Sequence, residues 1–348
     1  MRFLAFLLLA CTLPASEWTQ FRGPNGAGVS SDSGLPVDFG PSKNVIWKTV
    51  LPKGNSSPAL AGDRIFVTGA EGNERFTLAV ERATGKILWQ RSLTVNRAEH
   101  LHKLNDPASG TPVTDGQNVY LFFGDYGLVS YSGEGKERWR IPLGPFTNLH
   151  GMGASPVLHG NMLLMNCDQN NNSFLVAVNK DTGKTVWKVE RPEVTHGFST
   201  PILYKPEKGP DELIVPGSYQ INSYDVKTGK KLWWVRGLTW QVKSVPLISS
   251  GVLYFNNWAP GGDPGQQVEL PPFDQVTREY DANHVGKLAK EELPKCLCSR
   301  PVPGKRWIST GTACSMNATG CSSAPAGHRK TAPWPSNSAV GETSQRPT

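Results

Sequence analysis

The chain has 348 residues, including 36 glycines, 28 prolines and 11 tryptophans, a composition that favours turns and strands over long helices. Its formal net charge is +7, but residues 295–348 contain seven Lys or Arg and one Asp or Glu, so the rest of the chain is nearly neutral. This distribution argues against a nucleic-acid-binding surface on the body of the protein.

The N-terminus has the pattern of a secretory signal. An arginine precedes an apolar run over residues 3–13, and two small residues follow; the run is too short to span a membrane. We predict that residues 1–16 are a signal peptide and that the protein is exported to the periplasm or beyond the cell. The sequence Leu8–Cys11 also resembles a lipoprotein cleavage box, and in that alternative Cys11 becomes the lipidated N-terminus of an outer-membrane lipoprotein.

The mature sequence begins with a turn-rich lead, Trp18–Gly26 (WTQFRGPNG). A short strand is predicted at Asn44–Val50, and it contains Trp47. A strand of this kind before the first full repeat indicates the outer strand of a blade whose other strands come from elsewhere in the chain, which is how a ring of blades closes.

One sequence unit recurs along the chain. Its ending is clearest in Leu78–Trp89 (LAVERATGKILW) and returns in Leu128–Trp139, Leu175–Trp187 and Ile221–Trp233. The turn glycines of the four endings are 50, 48 and 46 residues apart: Gly85, Gly135, Gly183 and Gly229. A nearly fixed period of this length is the sequence signature of a repeat architecture.

Each unit opens with a small or β-branched residue followed by proline. The five openings are Ser57-Pro58, Thr111-Pro112, Ser155-Pro156, Thr200-Pro201 and Val245-Pro246. A short apolar run after each opening predicts a buried strand, and the turn glycine predicts a tight hairpin. Four strands in about 45 residues make one propeller blade. The sequence therefore predicts an all-β fold, a β-propeller of four-stranded blades over residues 17–260, with four recognisable blades and the opening of a fifth.

The tryptophan that ends each unit predicts a packing contact. These residues are Trp89, Trp139, Trp187 and Trp233. On an outer strand, a large flat side chain packs between successive blades and buries much apolar area. We interpret them as core residues rather than as a binding site.

The repeated endings, the Ser-Pro openings and the lead resemble the PQQ-like β-propeller repeat proteins of the quinoprotein alcohol dehydrogenase-like superfamily. The resemblance implies the fold without fixing a function, since this superfamily includes quinone-dependent dehydrogenases and outer-membrane assembly lipoproteins. A dehydrogenase of this kind is expected to have adjacent cysteines against the quinone, a carboxylate base and Ca²⁺ ligands. Cys167 is the single cysteine within the repeats, so we predict that PQQ is not a cofactor.

Three aspartates lie near strand ends or in turns: Asp125, Asp168 and Asp225. We interpret them as solvated capping groups and assign no catalytic or cofactor-binding residue. Four histidines precede strands that would line the central channel: His100, His102, His150 and His196. We expect them to be polar channel residues; the alternative is a metal site that uses the first two on one face of a strand.

The segment Asp281–Glu292 (DANHVGKLAKEE) has the spacing of an EF-hand calcium loop. The predicted ligands are the side chains of Asp281, Asn283 and Glu292 and the backbone carbonyl of Lys287. Val285 occupies the fifth position, which normally provides an oxygen ligand, so we expect weak Ca²⁺ binding. We assign residues 261–294 to an EF-hand-like helical insertion, and the alternative is a helical hairpin that keeps the shape without the ion.

After Pro294 the repeat pattern stops, and residues 295–348 are predicted to be a disordered tail. A zinc site would use its cysteines, but their spacing matches no zinc module. A third hypothesis is a shifted reading frame, because back-translation of residues 307–320 from the third codon base permits a second EF-hand-like loop. The unshifted gene would then continue with further blades, and we expect the unclosed propeller to be poorly stable or to aggregate.

Together these features predict an exported, non-catalytic β-propeller of the bacterial cell envelope, acting as a monomer. It would bind or scaffold a protein or small-molecule ligand through its blade-top loops or central channel. The alternative is a PQQ-dependent oxidoreductase that acts on alcohols or polyols, and the missing cysteine pair separates the two functions.

Overall fold

The computed structural model describes residues 17–257, 273–282 and 284. These residues fall into two compact units, with the boundary between Asn257 and Trp258. The first unit is built from antiparallel sheets, and the second contains the helix α1 (Phe273–Tyr280). In the part of the chain that is described, no helix has the length and apolar character needed to cross a membrane.

Four sheets of four antiparallel strands follow one another along the chain, and we number them blades 1 to 4. Blade 1 contains β1 (Ala59–Ala61), β2 (Arg64–Glu71), β3 (Glu74–Glu81) and β4 (Ile87–Thr94). Blade 2 contains β5 (Val113–Thr114), β6 (Asn118–Phe123), β7 (Gly127–Ser132) and β8 (Glu137–Pro142). Blade 3 contains β9 (Val157–His159), β10 (Met162–Cys167), β11 (Phe174–Asn179) and β12 (Thr185–Glu190). Blade 4 contains β13 (Ile202–Tyr204), β14 (Glu212–Gly217), β15 (Gln220–Asp225) and β16 (Lys231–Arg236).

A fifth sheet has two strands, β17 (Leu247–Ser249) and β18 (Val252–Tyr254). The turn between them is Ser250-Gly251, whose φ angles of 50° and 75° fit a type I′ hairpin. This pair corresponds to the first two strands of the other blades, and we call it blade 5. The sheets confirm the predicted all-β fold built from four-stranded blades. They also confirm that a fifth blade begins after blade 4, with two strands among the described residues.

The same local geometry ends every complete blade. The turn glycines between the third and fourth strands have φ angles of 74°, 81°, 72° and 73° at Gly85, Gly135, Gly183 and Gly229. These left-handed values confirm the predicted glycine hairpins. A register shift next to each turn marks a bulge: Ala79/Val80, Ser130/Tyr131, Ala177/Val178 and Ser223/Tyr224. A bulge of this kind increases the twist of the strand pair.

A tryptophan of one repeat docks on the glycine turn of the next. Its indole Nε1 donates a hydrogen bond to a backbone carbonyl in that turn, and a Cβ on the turn glycine would lie 2.4–3.0 Å from the ring. The four contacts are Trp47 to Arg82 (2.9 Å) over Gly85, Trp89 to Gly133 (2.7 Å) over Gly135, Trp139 to Lys180 (2.9 Å) over Gly183, and Trp187 to Val226 (2.9 Å) over Gly229. These contacts confirm that Trp89, Trp139 and Trp187 pack between blades.

A second link joins the blades at their first strands. At three of the five openings, the hydroxyl of the residue before the proline accepts a hydrogen bond from the backbone N–H of its counterpart in the preceding blade. The bonds are Ser57 N–H to Thr111 Oγ1 (3.1 Å), Thr111 N–H to Ser155 Oγ (3.0 Å) and Ser155 N–H to Thr200 Oγ1 (3.0 Å). We call this series the hydroxyl ladder. It satisfies buried and half-buried amides, which explains the hydroxyl residue before Pro112, Pro156 and Pro201.

The N-terminal lead ties distant blades together. Trp18 exchanges two backbone hydrogen bonds with Leu60 of β1, at 3.2 and 2.8 Å. The side-chain amide of Asn25 donates to the carbonyl of Leu203 in β13 (2.8 Å) and accepts from the N–H of the same residue (2.9 Å). The lead therefore connects blade 1 to blade 4.

The predicted strand at Asn44–Val50 is wrong. The segment belongs to no sheet, although Trp47 docks on blade 1 as an outer-strand tryptophan does. The physical reason is that no strand of the described chain lies beside it as a pairing partner. Ile46 and Val50 are accordingly 90% and 89% exposed.

Candidate functional site

Loops from successive blades meet on one face of the propeller. Because the strands of a blade alternate in direction, the loops between blades lie on the same face as the turns between second and third strands. We call this the upper face, and its interblade loops are residues 95–112, 143–156, 191–201 and 237–246. Loops held by a rigid scaffold often contain binding residues. All four histidines singled out in the sequence are on the first three of these loops.

An aromatic band runs across the upper face, and we define it as His102, His150, Phe198, His196 and Trp240. The rings of His102 and His150 meet edge to face at 5.2 Å, and the ring of His150 lies 5.6 Å from that of Phe198. The ring of His196 lies 5.4 Å from that of Trp240. The structure thus brings together three of the four histidines with aromatic residues that the sequence did not indicate.

Two histidines of the band, His150 and His196, have lowered pKa values. Burial lowers the pKa of His150, and the neighbouring His102 and Lys243 lower it further. Burial lowers the pKa of His196 to about 4, with a contribution from His150. The buried Nδ1 of His196 has no hydrogen-bond partner. Within the described residues, no group of three His, Cys, Asp or Glu side chains has the geometry to hold a metal ion.

Glu99 is a buried carboxyl group at the edge of this face. One of its oxygens accepts a hydrogen bond from the backbone N–H of Phe146 at 2.9 Å. Burial raises the pKa of Glu99 to about 7, against the lowering effects of that N–H and of Arg97. Glu99, Asp125 and Met152 line a cavity of about 10 Å³, which is large enough for one water molecule.

Asp125 and Asp168 belong to buried ion pairs, so their interpretation as solvated capping groups is wrong. Arg75 Nε lies 2.9 Å from an oxygen of Asp125, and both side chains are 4% exposed. Arg191 Nε lies 2.8 Å from Asp168, and both are fully buried. Arg191 also donates to the hydroxyl of Tyr224 in blade 4 at 2.9 Å. We interpret both pairs as structural, because each arginine neutralises the buried carboxylate beside it.

The sequence could not reveal these pairs, because their members are far apart in the chain and lie in no local motif. Asp225, by contrast, is a capping residue as expected: its carboxylate accepts hydrogen bonds from the backbone N–H groups of Lys227 (2.7 Å) and Thr228 (3.1 Å).

The residues near the expected quinone chemistry are a single cysteine and several carboxyl groups. Cys167 is fully buried in the apolar cluster between blades 2 and 3, and burial raises the pKa of its thiol. Of the carboxyl groups near the upper face, Asp125 and Asp168 are engaged by arginines, whereas Glu99 accepts a hydrogen bond from the Phe146 N–H. Cys167 has no adjacent cysteine in the sequence, and we derive no step through a quinone.

The predicted calcium loop lies largely outside the described residues. Asp281 follows α1, is 7% exposed, and donates its backbone N–H to the carbonyl of Thr277 at 2.9 Å. The other predicted ligands, Asn283, Lys287 and Glu292, lie outside the described residues, as do the signal peptide 1–16 and the tail 295–348. Calcium binding stays a prediction.

The repeated blades and their tryptophan contacts define a β-propeller of the PQQ-like superfamily. The family described as outer membrane protein assembly factor BamB matches residues 29–171 and 171–277. The chain belongs to that family. No curated protein sequence matches the chain.

Several solved structures are similar to this chain at low sequence identity. The quinohemoprotein alcohol dehydrogenase ADHIIG from Pseudomonas putida HK5 is 13% identical, with a TM-score of 0.44 over 60% of this chain and 39% of that one. BamB from Moraxella catarrhalis is 15% identical, with a TM-score of 0.42 over 57% of each chain. A europium-containing methanol dehydrogenase is 13% identical, with a TM-score of 0.41 over 54% of this chain and 42% of that one. The chain therefore spans between about two fifths and three fifths of the length of these proteins.

Proposed function

We propose that this chain is a non-catalytic scaffold of the bacterial cell envelope that holds a protein partner on its upper face. The observation that supports this function most directly is the aromatic band, which collects rings from four successive interblade loops. Membership of the BamB family agrees with it.

The chemistry of the band suits a protein surface. Aromatic residues are enriched at protein interfaces, where they contribute large contact area and retain a polar group. Leu104, on the same loop as His102, is 78% exposed and adds an apolar contact. The side-chain amide of Gln241 lies 2.9 Å from His150 Nε2 and fixes the orientation of that ring.

Two of the carboxylates near the band are held in ion pairs, which supports binding rather than acid–base catalysis by them. Asp125 and Asp168 are held by Arg75 and Arg191, so neither is available to take a proton from a substrate. We propose export through residues 1–16 and a monomeric scaffold in the periplasm or at the outer membrane.

Site-specific photocrosslinking tests the scaffold. A photoreactive amino acid at position 104 would be compared with one at position 186, since Val186 is 48% exposed on the outer strand of blade 3, away from the interblade loops. In envelope fractions of cells that produce the protein naturally, we expect one dominant crosslinked protein from position 104 and none from position 186. Equal crosslinking from both positions would contradict the proposal.

The enzymatic alternative has a separate test. The purified protein would be mixed with PQQ and Ca²⁺ and examined for a quinone absorbance shift and for dye reduction with alcohols and polyols. We expect neither, and alcohol-dependent dye reduction would establish the alternative.

A further inference from the structure

The tryptophan contact between blades is incomplete at blade 4. Trp233 is the fifth member of the series, but its Nε1 donates to the carboxylate of Glu212 within its own blade at 2.7 Å. The hydroxyl of Ser223 donates to the same carboxylate oxygen at 2.5 Å. In the part of the chain that the structure describes, no glycine turn covers this indole as turns cover the other four.

Within residues 17–257, blade 5 has no third strand at the position from which such a turn would come. In blades 1 to 4 the second strand pairs with a third strand, whereas β18 pairs with β17 alone among the described residues. Ser249 and Val252 flank the two-residue turn and form its first pair, so alternation along the ladder directs the backbone N–H and C=O of Leu253 to the open edge. An open strand edge is a template for pairing with another strand.

The side chains around this edge are apolar and accessible. Val252 is 49% exposed and Tyr254 is 56% exposed. Leu253 packs with Trp233 in the cluster between blades 4 and 5, so the open edge and the uncovered indole belong to one continuous surface. We define this surface, the edge of β18 together with Trp233, as the hairpin socket.

We propose that the hairpin socket binds a β-hairpin supplied by another polypeptide. The first strand of the hairpin pairs with β18, and its turn covers Trp233. This interface would repeat the contact between a tryptophan and a glycine turn that the chain already makes four times. The four existing contacts therefore indicate which residues the partner hairpin needs. The turn carries glycine in the left-handed conformation, because a Cβ there would lie within 3.0 Å of the indole in each existing contact. Strand addition of this kind combines backbone hydrogen bonds with side-chain pockets.

A peptide from the chain itself is a suitable probe. The synthetic peptide of residues 175–190 contains the glycine turn of blade 3 and both flanking strands. We expect it to bind the monomeric full-length protein in calorimetry, with saturation at one peptide per chain. The same peptide with Gly183→Val should bind at least about tenfold more weakly, since valine cannot adopt the left-handed turn and would meet the indole.

Two protein variants locate the binding site. Trp233 and Trp234 are neighbours on β16 with their side chains on opposite faces of the strand. Trp233→Leu should weaken binding about tenfold, whereas Trp234→Leu should leave it within about twofold. Hydrogen exchange at the amide of Leu253 should slow when the peptide is bound to the unsubstituted protein, a readout that does not depend on how either variant folds.

Other occupants give different results. Failure of the peptide to bind, with the Leu253 amide already protected in the free monomer, would show that another part of the same chain fills the socket and would overturn the proposal. Concentration-dependent dimerisation that the peptide reverses would assign the socket to a second copy of the chain and would also overturn it. The crosslinking from position 104 is unaffected by either result, because that position is on the upper face and not in the socket.

Discussion

The indole Nε1 of Trp139 lies 2.9 Å from the carbonyl oxygen of Lys180 in the next blade. The same ring covers Gly183, which has a φ of 72°. One residue thus supplies a buried hydrogen bond and an apolar contact to a neighbouring blade, and the turn must have glycine for the ring to approach. Four such contacts explain why the ending of each repeat keeps both a glycine and a tryptophan.

Gly183→Ala should destabilise the protein more than a left-handed glycine substitution normally does. The new Cβ would lie 3.0 Å from the indole of Trp139, in addition to the backbone strain. The matched control is Gly160→Ala, since Gly160 has a φ of 56° and open space around its Cα. In urea unfolding, we expect a loss of roughly 1 kcal/mol for the control and about 2–3 kcal/mol for Gly183→Ala. Equal losses would show that the contact with the indole contributes nothing.

The hydroxyl ladder leads to a second prediction. Thr111→Val keeps the shape of the side chain but removes the acceptor for the backbone N–H of Ser57, which lies 3.1 Å from the threonine hydroxyl. Ser57 is half-buried, so leaving its N–H without a partner should cost about 1 kcal/mol, the lower end of the range for a buried donor. The control is Thr185→Val on the exposed part of β12, where valine suits a strand and we expect a change below about 0.5 kcal/mol. A chemical unfolding midpoint unchanged by Thr111→Val would refute a stabilising role for the ladder.

The sequence predicts much of this architecture because the repeats are regular. The positions of Gly85 and Trp89 recur, so the hairpins and the tryptophan packing follow from the pattern. The pair of Arg191 and Asp168 and the pair of Arg75 and Asp125 use arginines at different positions of their repeats, so no spacing rule indicates them. The aromatic band depends on how loops fold over one another, and Phe198 and Trp240 have no feature in the sequence that separates them from core residues.

The Arg191–Asp168 pair is the third target. Arg191→Leu should cost about 3–5 kcal/mol, because it leaves a buried carboxylate without its partner. The double substitution Arg191→Leu with Asp168→Leu should cost less than the sum of the two single ones, since it removes both charges together. Equilibrium unfolding of the four proteins measures the coupling. Additive losses would mean that the two charges do not depend on each other.

The raised pKa of Glu99 predicts that the protein loses stability as the pH rises. Its pKa is raised from 4.5 to about 7 in the folded protein, so the folded state binds the proton more tightly than the unfolded state. Unfolding free energy should therefore decrease between about pH 4.5 and pH 7 and change no further above that range. Glu99→Gln should remove this slope, since glutamine keeps a polar group against the Phe146 N–H but does not ionise. Parallel stability curves for the two proteins across this range would contradict the assignment.

The lowered pKa of His196 predicts the opposite effect, a loss of stability as the pH falls. Its pKa is lowered from 6.5 to about 4 in the folded protein, so the unfolded state binds the proton more tightly, and stability should fall as the pH decreases from about 6.5 to about 4. His196→Asn should remove this loss, and asparagine tolerates the positive φ of 35° at this position. The matched control is His284→Asn in calcium-free buffer, because His284 is exposed and has a φ of 56°. Making both histidine substitutions in the Glu99→Gln protein separates the effect of His196 from that of Glu99. If the unfolding free energy of the His196 variant still falls between about pH 6.5 and pH 4, another group is responsible for the loss.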